Sequence, residues 1–151
     1  MKAQVGAQVP QSIGYLTGVF DLFHVGHLDL LEHARQRCDR LVVGVLTDEW
    51  AENAWGVRPF VPVVERTEIV RQLRCVDEAV VVDGIGPAWP ATSAGVRTIF
   101  AADGTDGVLG VDELAGHVPM ALISPLPAVR GSRSPVLRAA IVQRQSRSSV
   151  A

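Results

Sequence analysis

Residues 16–27 read LTGVFDLFHVGH, and this stretch decides how the chain is expected to fold. The apolar run at residues 13–16 is typical of a short buried strand. After the stretch, apolar side chains recur at the spacing of one helix face, at Leu28, Leu31, Ala34 and Cys38. The sequence therefore predicts a strand, a glycine turn and the start of a helix. Such a junction favours anions, because free backbone N–H groups and the positive end of the helix dipole point to one place.

His24 and His27 lie in this predicted turn, with Gly26 between them. Two imidazole groups beside an anion site indicate phosphate chemistry. A zinc half-site is one alternative, but the sequence offers no second ligand pair at a suitable spacing, so no metal site is predicted. An ordinary pair of surface histidines is the other alternative. His33 and His117 lack this context and are expected to be solvated or capping residues.

The composition of the 151-residue chain, 48% hydrophobic and 20% charged, is that of an ordinary folded domain. We expect one domain at residues 12–145, a flexible arm at 1–11 and a frayed tail at 146–151. The net charge of −2 argues against nucleic acid as a partner. No apolar run approaches the roughly 20 residues of a membrane span, and no signal-like segment begins the chain, so a cytoplasmic location is expected. Cys38 and Cys75 are expected to be reduced packing residues.

Strands and helices alternate along the rest of the sequence. Further strands are predicted at residues 40–46, 76–82, 96–101 and 118–123. Helices are predicted at 62–74, weakly at 112–115, and from Ser134-Pro135 to about residue 144, whereas residues 47–61 are expected to be an irregular loop. This order indicates an α/β fold of the Rossmann-like, doubly wound type, with a mostly parallel five-stranded sheet and helices on both faces. Ligands of such sheets bind beyond the carboxyl ends of the strands, where the strand order reverses.

Gly18-Val19-Phe20-Asp21 followed by His24-Val25-Gly26-His27 resembles the motif of the HxGH nucleotidylyltransferases. The glycerol-3-phosphate cytidylyltransferase-like enzymes of this superfamily are the most similar. The resemblance covers residues 13–83 and continues in short elements, namely Thr47-Asp48-Glu49, Arg58-Pro59, Glu65-Arg66 and Arg74-Cys75-Val76-Asp77-Glu78.

The resemblance implies that His24 and His27 contact the reacting phosphates in the transition state. A phosphate monoester has a second pKa of about 6 and needs little activation as a nucleophile, so catalysis is mostly positioning and charge stabilisation. Mg²⁺ is expected to accompany the nucleoside triphosphate. The resemblance further implies a homodimer and a nucleotide- and phosphate-binding set of Thr17, Gly18, Val19, Phe20, Gly26, Asp103, Arg130, Gly131, Arg133 and Ser134.

A second set is implied for the acceptor substrate, namely Asp21, Asp48, Arg58, Arg66, Arg74 and Asp77. Several of these residues have a structural alternative. Arg66 and Arg74 can form salt bridges on a helix surface, Asp21 can shape the turn after the first strand, and Asp77 can pair with Arg74.

The segments that choose the base and hold the triphosphate depart from the family pattern. Asp103 keeps only the first acidic residue of a Gly-Asp-Asp-Trp element, and the final loop at residues 128–135 keeps its glycine but not its leading arginine. Arg130 and Arg133 can restore that charge or can belong to a solvated basic loop. The expected activity is nucleotidyl transfer from an NTP, with CTP favoured over ATP, to a small phosphorylated alcohol such as glycerol 3-phosphate, with release of pyrophosphate. A catalytically weakened nucleotide- or phosphate-binding module is the alternative.

Overall fold

Five parallel strands form a single sheet in the computed structural model, which describes residues 11–85, 95–127, 129–131 and 134–149, apart from the side chain of Ser134. The strands are β1 (Ile13–Gly18), β2 (Arg40–Leu46), β3 (Glu78–Val82), β4 (Val96–Ala101) and β5 (Ile123–Pro125). Their order is β3-β2-β1-β4-β5. Leu16 of β1 pairs with Val43 on one side and with Phe100 on the other. The chain therefore reverses its direction of winding next to β1, and the predicted Rossmann-like fold is confirmed.

Helices cover both faces of this sheet. They are α1 (Val25–Arg35), α2 (Asp48–Trp55), α3 (Val63–Arg71), α4 (Val111–Ala115) and α5 (Ser134–Ser148), with a 3₁₀ turn at Met120–Leu122. On one face, Leu30 of α1 and Val70 of α3 pack in the same cluster as Leu16 and Val43. On the other face, Ala51 of α2 packs in a cluster that includes Tyr15 and Leu46. Both sides of β1 are buried, since Leu16 packs in the first cluster and Tyr15 in the second.

The region 47–61 contains a helix where an irregular loop is predicted. Thr47 accepts a hydrogen bond from the Trp50 N–H at the start of α2, and Asp48 and Glu49 occupy its first turn. The helix ends at Gly56, whose φ of 73° is a left-handed cap. These are ordinary capping signals, and the short, mostly polar helix between them has little apolar periodicity to indicate it.

The last strand and last helix also differ from their predicted ranges. β5 occupies Ile123–Pro125, because Pro119 leads into the 3₁₀ turn and the residues before Ile123 do not pair with β4. Helix α5 continues through Ser148, so residues 146–148 are helical where a frayed tail is predicted. Cys38 and Cys75 are free and half-buried against the first core cluster. Within the described ranges, no helix is both long and apolar enough to cross a membrane.

Candidate active site

The candidate site lies at the carboxyl end of β1, in the loop that leads to α1. Phe20 and Leu22 adopt positive φ angles of 55° and 48° in this loop. Left-handed conformations of this kind cost about 1–3 kcal/mol each in residues with side chains, and they concentrate at functional sites. The Phe20 conformation directs its ring edge-on against the His27 ring, with 5.5 Å between the ring centroids.

His24 and His27 form a reciprocal cap at the start of α1. Nδ1 of His24 accepts a hydrogen bond from the Gly26 N–H at 3.1 Å, and Nδ1 of His27 accepts one from the His24 N–H at 3.3 Å. The two rings stack with their centroids 3.9 Å apart. Because both Nδ1 atoms are acceptors, each neutral ring carries its proton on Nε2. The backbone of the helix start thus fixes both histidines as Nε2–H donors.

Both histidines are neutral at pH 7. Burial lowers the pKa of His27 to about 4, with the backbone hydrogen bond to Asp106 acting in the opposite direction. Burial also lowers the pKa of His24, although the Asp106 carboxylate opposes the shift. Each ring therefore carries a polarised Nε2–H at neutral pH, and the pair adds no positive charge of its own.

Gly26 is required by the close packing around the two rings. A Cβ at this position would lie 2.9 Å from Cε1 of His24 and 3.2 Å from the Arg130 carbonyl oxygen. Its absence allows the His24 ring to fold over the helix start and allows the chain at 129–131 to pass beside it. The glycine of the motif therefore shapes the site through contacts within the protein.

Two residues that the sequence did not single out, Asp106 and Arg138, complete the site. His27 donates from Nε2 to the Asp106 carbonyl oxygen at 2.7 Å. Nη1 of Arg138 donates to Oδ2 of Asp106 at 2.6 Å, and Nε2 of His24 lies 3.7 Å from the same carboxylate oxygen. Nε2 of His24 is buried and has no hydrogen-bond partner among the described residues. One available signal is that Arg138 is the only charged residue in the sequence between 134 and 143.

Two cavities share the segment that carries Asp106 as part of their lining. The first has a volume of about 460 Å³, and its lining includes Asp21, Arg58 and Arg138. The second has a volume of about 530 Å³ and is lined by His24, Gly26, Arg130 and Gly131, among others. Residues 103–106 line both cavities, so Asp106 borders each of them.

Asp21 and Arg58 both line the first cavity, but they are engaged differently. The Asp21 carboxylate accepts hydrogen bonds from the backbone N–H groups of Phe60 and Val61, each at 2.9 Å. Asp21 thus fastens the chain after α2 to the loop after β1, a structural role that differs from the predicted shaping of the turn. The Arg58 side chain is 54% exposed, lines the cavity and pairs with Glu52 at 3.0 Å, with Asp48 and Glu49 also within 4.0 Å, so an anionic ligand in the cavity would compete with these carboxylates for it.

Arg66 and Asp48, both predicted to bind the acceptor, form a buried ion pair. Arg66 is only 2% exposed and donates to Val19 O, Leu46 O, Val61 O and the Asp48 carboxylate. The other Asp48 oxygen accepts from the Val63 N–H at 3.4 Å. The guanidinium joins the ends of β1 and β2 to the start of α3. Its donors are directed at the protein, and it does not line either cavity.

Arg74 and Asp77, both predicted to bind the acceptor, lie at the end of the sheet opposite to the histidine pair. Oδ2 of Asp77 accepts a hydrogen bond from the N–H of Leu41, near the start of β2, and lies 3.2 Å from Nε of Arg35. Arg74 is exposed between α3 and β3. A seven-residue strand such as β2 spans about 20 Å, so these residues are remote from the histidines.

The predicted nucleotide-binding residues are divided between the loop after β1, the 103–106 segment and the final loop. Thr17 is buried, and the backbone at Gly18 and Val19 contacts Gly107 and Val108. Asp103 lines both cavities and accepts from the Val111 N–H at 3.1 Å. Arg130 forms two side-chain hydrogen bonds with Asp29, at 2.6 and 2.7 Å, so its charge is already paired. Arg133 and the side chain of Ser134 lie outside the described residues.

The strand order, the winding reversal beside β1 and the histidine pair at its carboxyl end define a Rossmann-like α/β domain with a ligand site in the usual place for such sheets. The chain belongs to the cytidylyltransferase-like family, whose model matches residues 15–122. The FAD synthase of Thermococcus sibiricus is 44% identical over 64 residues, which are 42% of this chain and 43% of that protein.

Two further relatives extend the match. The bifunctional protein HldE of Hyphomonas neptunium is 30% identical over 129 residues, covering 83% of this chain and 26% of that protein. The ethanolamine-phosphate cytidylyltransferase of Arabidopsis thaliana is 36% identical over 85 residues, covering 56% of this chain and 19% of that protein. The matches thus span less than half the length of each relative. A solved structure, the lipopolysaccharide core biosynthesis protein of Thermoplasma volcanium, shares the fold with a TM-score of 0.64 and 21% identity, over 80% of this chain and 100% of that one.

Proposed function

We propose that this chain transfers a nucleotidyl group from a nucleoside triphosphate to a small phosphorylated alcohol and releases pyrophosphate. One observation carries the proposal: at the carboxyl end of β1 the neutral His24 holds a buried Nε2–H that has no hydrogen-bond partner among the described residues, and the His27 ring stacks against it. A buried donor without a partner costs free energy in the ligand-free protein. A phosphate oxygen placed there recovers that cost.

In the proposed reaction, an oxygen of the acceptor phosphate attacks the α-phosphorus of the triphosphate. The bond from that phosphorus to the bridging oxygen breaks, and negative charge develops on the departing pyrophosphate. His24 donates a hydrogen bond to a phosphate oxygen that gains this charge, and His27 does the same once it exchanges its hydrogen bond with the Asp106 carbonyl oxygen for one with the ligand. Because both rings are held by backbone hydrogen bonds, they need little reorganisation as the charge moves. Neither histidine has to act as a base.

Mg²⁺ is proposed to enter with the triphosphate. It prefers oxygen ligands, and the three-residue cluster that presents metal-ligating atoms here is His24, His27 and Asp106, with one carboxylate that already pairs with Arg138. The cluster does not supply the oxygen-rich coordination that the ion requires. We therefore propose that phosphate oxygens of the triphosphate coordinate Mg²⁺. The ion would neutralise their charge.

CTP is the proposed donor and a glycerol 3-phosphate-like compound the proposed acceptor, with a sugar or polyol phosphate next. Support comes from the family and from the relative named for cytidylyl transfer to phosphorylated ethanolamine. ATP is the alternative donor that we propose, because other relatives are named FAD synthase. A homodimer in the cytoplasm also remains an expectation; α5 exposes apolar side chains at Val136, Leu137, Ile141 and Val142 that a second subunit can cover.

The test is pyrophosphate release in the presence of Mg²⁺, each NTP and a panel of phosphorylated alcohols. We expect turnover with CTP and a three-carbon or longer polyol phosphate. Binding of CTP or ATP without turnover for any pair would refute the enzyme and favour the nucleotide-binding module.

His24→Asn is the sharpest variant for this assay. Asparagine is a good N-cap and can still accept from the Gly26 N–H, whereas it lacks the Nε2–H donor. We expect kcat to fall by about 10²–10³-fold, as is typical when one transition-state donor is removed. The matched control is His117→Asn, because His117 is exposed. Equal rates for the two variants would contradict the role of His24.

A further inference from the structure

Three nitrogen donors from two parts of the chain converge on Asp106. Nε2 of His27 is bonded to its carbonyl oxygen, Nη1 of Arg138 to its carboxylate, and Nε2 of His24 faces that same carboxylate oxygen at 3.7 Å. The convergence of an imidazole N–H and a guanidinium on one carboxylate oxygen is suited to a phosphate group, which offers several anionic oxygens. In this structure the Asp106 carboxylate holds the position between His24 and Arg138.

We propose that Arg138 binds a phosphate group of the triphosphate, and that Asp106 occupies its place until the ligand displaces it. The inference rests on the proposed function for the identity of the ligand. Arg138 thereby supplies, from inside α5, the positive charge that the altered final loop lacks.

The surroundings of Arg138 favour a binding role. Its side chain is 19% exposed, lines the first cavity and is fixed by a 2.7 Å hydrogen bond from Nη2 to the Asp21 carbonyl oxygen. Its Nε is buried and has no hydrogen-bond partner among the described residues, so the fork retains a donor. Arg138 is also close enough to both histidines to lower the pKa of each. Arg130, by contrast, is exposed and paired with Asp29.

The surroundings of Asp106 favour its displacement. It lines both cavities and lies in a segment flanked by Gly104 and Gly107, which have φ angles of 77° and 69°. Its carboxylate satisfies Arg138 but remains too far from His24 for a hydrogen bond. A phosphate group in place of the carboxylate can accept hydrogen bonds from both Arg138 and His24.

The experiment measures binding of inorganic pyrophosphate and of CTP by isothermal titration calorimetry, without acceptor and therefore without turnover. Asp106→Asn removes the competing charge and is expected to tighten binding of both ligands at least fivefold. Arg138→Gln keeps a polar amide near the position of the guanidinium Nε but removes the positive charge, and is expected to weaken binding about tenfold or more. Thermal melts of both variants report whether the fold is retained.

The opposite signs separate binding from a merely structural role. If the Arg138–Asp106 ion pair only anchors α5, both variants break it and both weaken binding, which would overturn the proposal. Asp112→Asn on α4 and Arg144→Gln on α5 are the charge-matched controls, since both residues are exposed. If the control variants shift the affinity as strongly as the test variants, the effect comes from net charge alone. That result would also overturn the proposal.

The outcomes also separate this inference from the proposed function. Turnover combined with unchanged pyrophosphate affinity in both variants would refute the role of Arg138 and leave the enzyme standing. Opposite shifts in affinity without turnover for any substrate pair would support the phosphate site and refute the enzyme.

Discussion

His27 combines complete burial with hydrogen bonds at both ring nitrogens. This arrangement makes its protonation state part of the stability of the fold. In the folded protein its pKa is about 4, whereas an unfolded chain has the ordinary histidine value of about 6.5. Between these values the unfolded chain takes up a proton that the folded chain does not. Stability contributed by the neutral ring is therefore present above about pH 6.5 and is lost as the pH falls towards 4.

We predict that the destabilisation caused by His27→Gln shrinks as the solution is acidified. The difference in free energy of unfolding between wild type and variant should decrease by about 3 kcal/mol from pH 7 to pH 4, since one pKa unit corresponds to about 1.4 kcal/mol. Urea denaturation followed by circular dichroism at several pH values measures it. His117→Gln is the control, because its histidine is exposed. A difference for His27→Gln that stays constant across this range would contradict the assigned neutral state.

The sequence identified the two histidines but not their partners. The spacing of His24, Gly26 and His27 and the preceding strand were sufficient to locate the pair. Asp106 reaches the histidines because β4 lies beside β1, and it contacts His27. Arg138 reaches them because α5 returns over the loop after β1, where it contacts Asp21. Such long-range contacts carry no local pattern. They depend on the strand order, which the sequence constrains only to a few possibilities.

Among the elements of the fold, Arg66 connects several that are far apart in the sequence. It connects Val19 after β1, Leu46 at the end of β2 and Asp48 at the start of α2, and it is itself on α3. A buried cation with these partners is costly to replace, because its loss leaves a buried carboxylate and several carbonyl groups without donors.

We predict that Arg66→Met lowers the free energy of unfolding by about 3–5 kcal/mol, the usual effect of removing one partner of a buried ion pair. Urea denaturation of the purified variant measures it. Arg71→Met on the same helix is the matched control, since its ion pair with Glu68 is exposed and is expected to contribute at most about 1 kcal/mol. Adding Asp48→Leu to Arg66→Met should recover part of the loss, because it removes the unpaired charge. Similar losses for Arg66→Met and Arg71→Met would contradict the structural role.

Elements with strong apolar patterns were predicted better than short ones. β2 matches its predicted range at Arg40–Leu46, since it is buried on both faces and consists of apolar residues throughout after its first residue. Helix α2 was missed because it has only two buried residues, Asp48 and Ala51, and its start and end are fixed by caps at Thr47 and Gly56. β5 was placed too early because Val118, although buried, packs from the loop before the 3₁₀ turn and not from a strand.

For the whole molecule, the direction of the strands decides which residues can share the site. In a parallel α/β sheet every strand runs towards the same edge, and each connecting helix returns the chain to the other edge. Residues that follow a strand, such as His24 after β1 and Asp103 after β4, therefore meet at the carboxyl edge. Residues that precede a strand, such as Arg74 and Asp77 before β3, lie at the amino edge. If the two edges of the sheet are distinguished in this way, the sequence alone places Arg74 and Asp77 away from the candidate site.

Arg58 and Arg74 provide a test of that distinction, because both are exposed arginines on loops but lie at opposite edges of the sheet. If the acceptor phosphate enters the first cavity, Arg58 can form a charge-assisted hydrogen bond with it. We predict that Arg58→Ala raises KM for the phosphorylated acceptor about tenfold with little change in kcat, whereas Arg74→Ala changes neither constant. The measurement is pyrophosphate release at saturating NTP with the acceptor concentration varied. An increase in KM for Arg74→Ala as large as that for Arg58→Ala would mean that the amino edge of the sheet contributes to acceptor binding, and would place the acceptor outside the cavity beside the histidines.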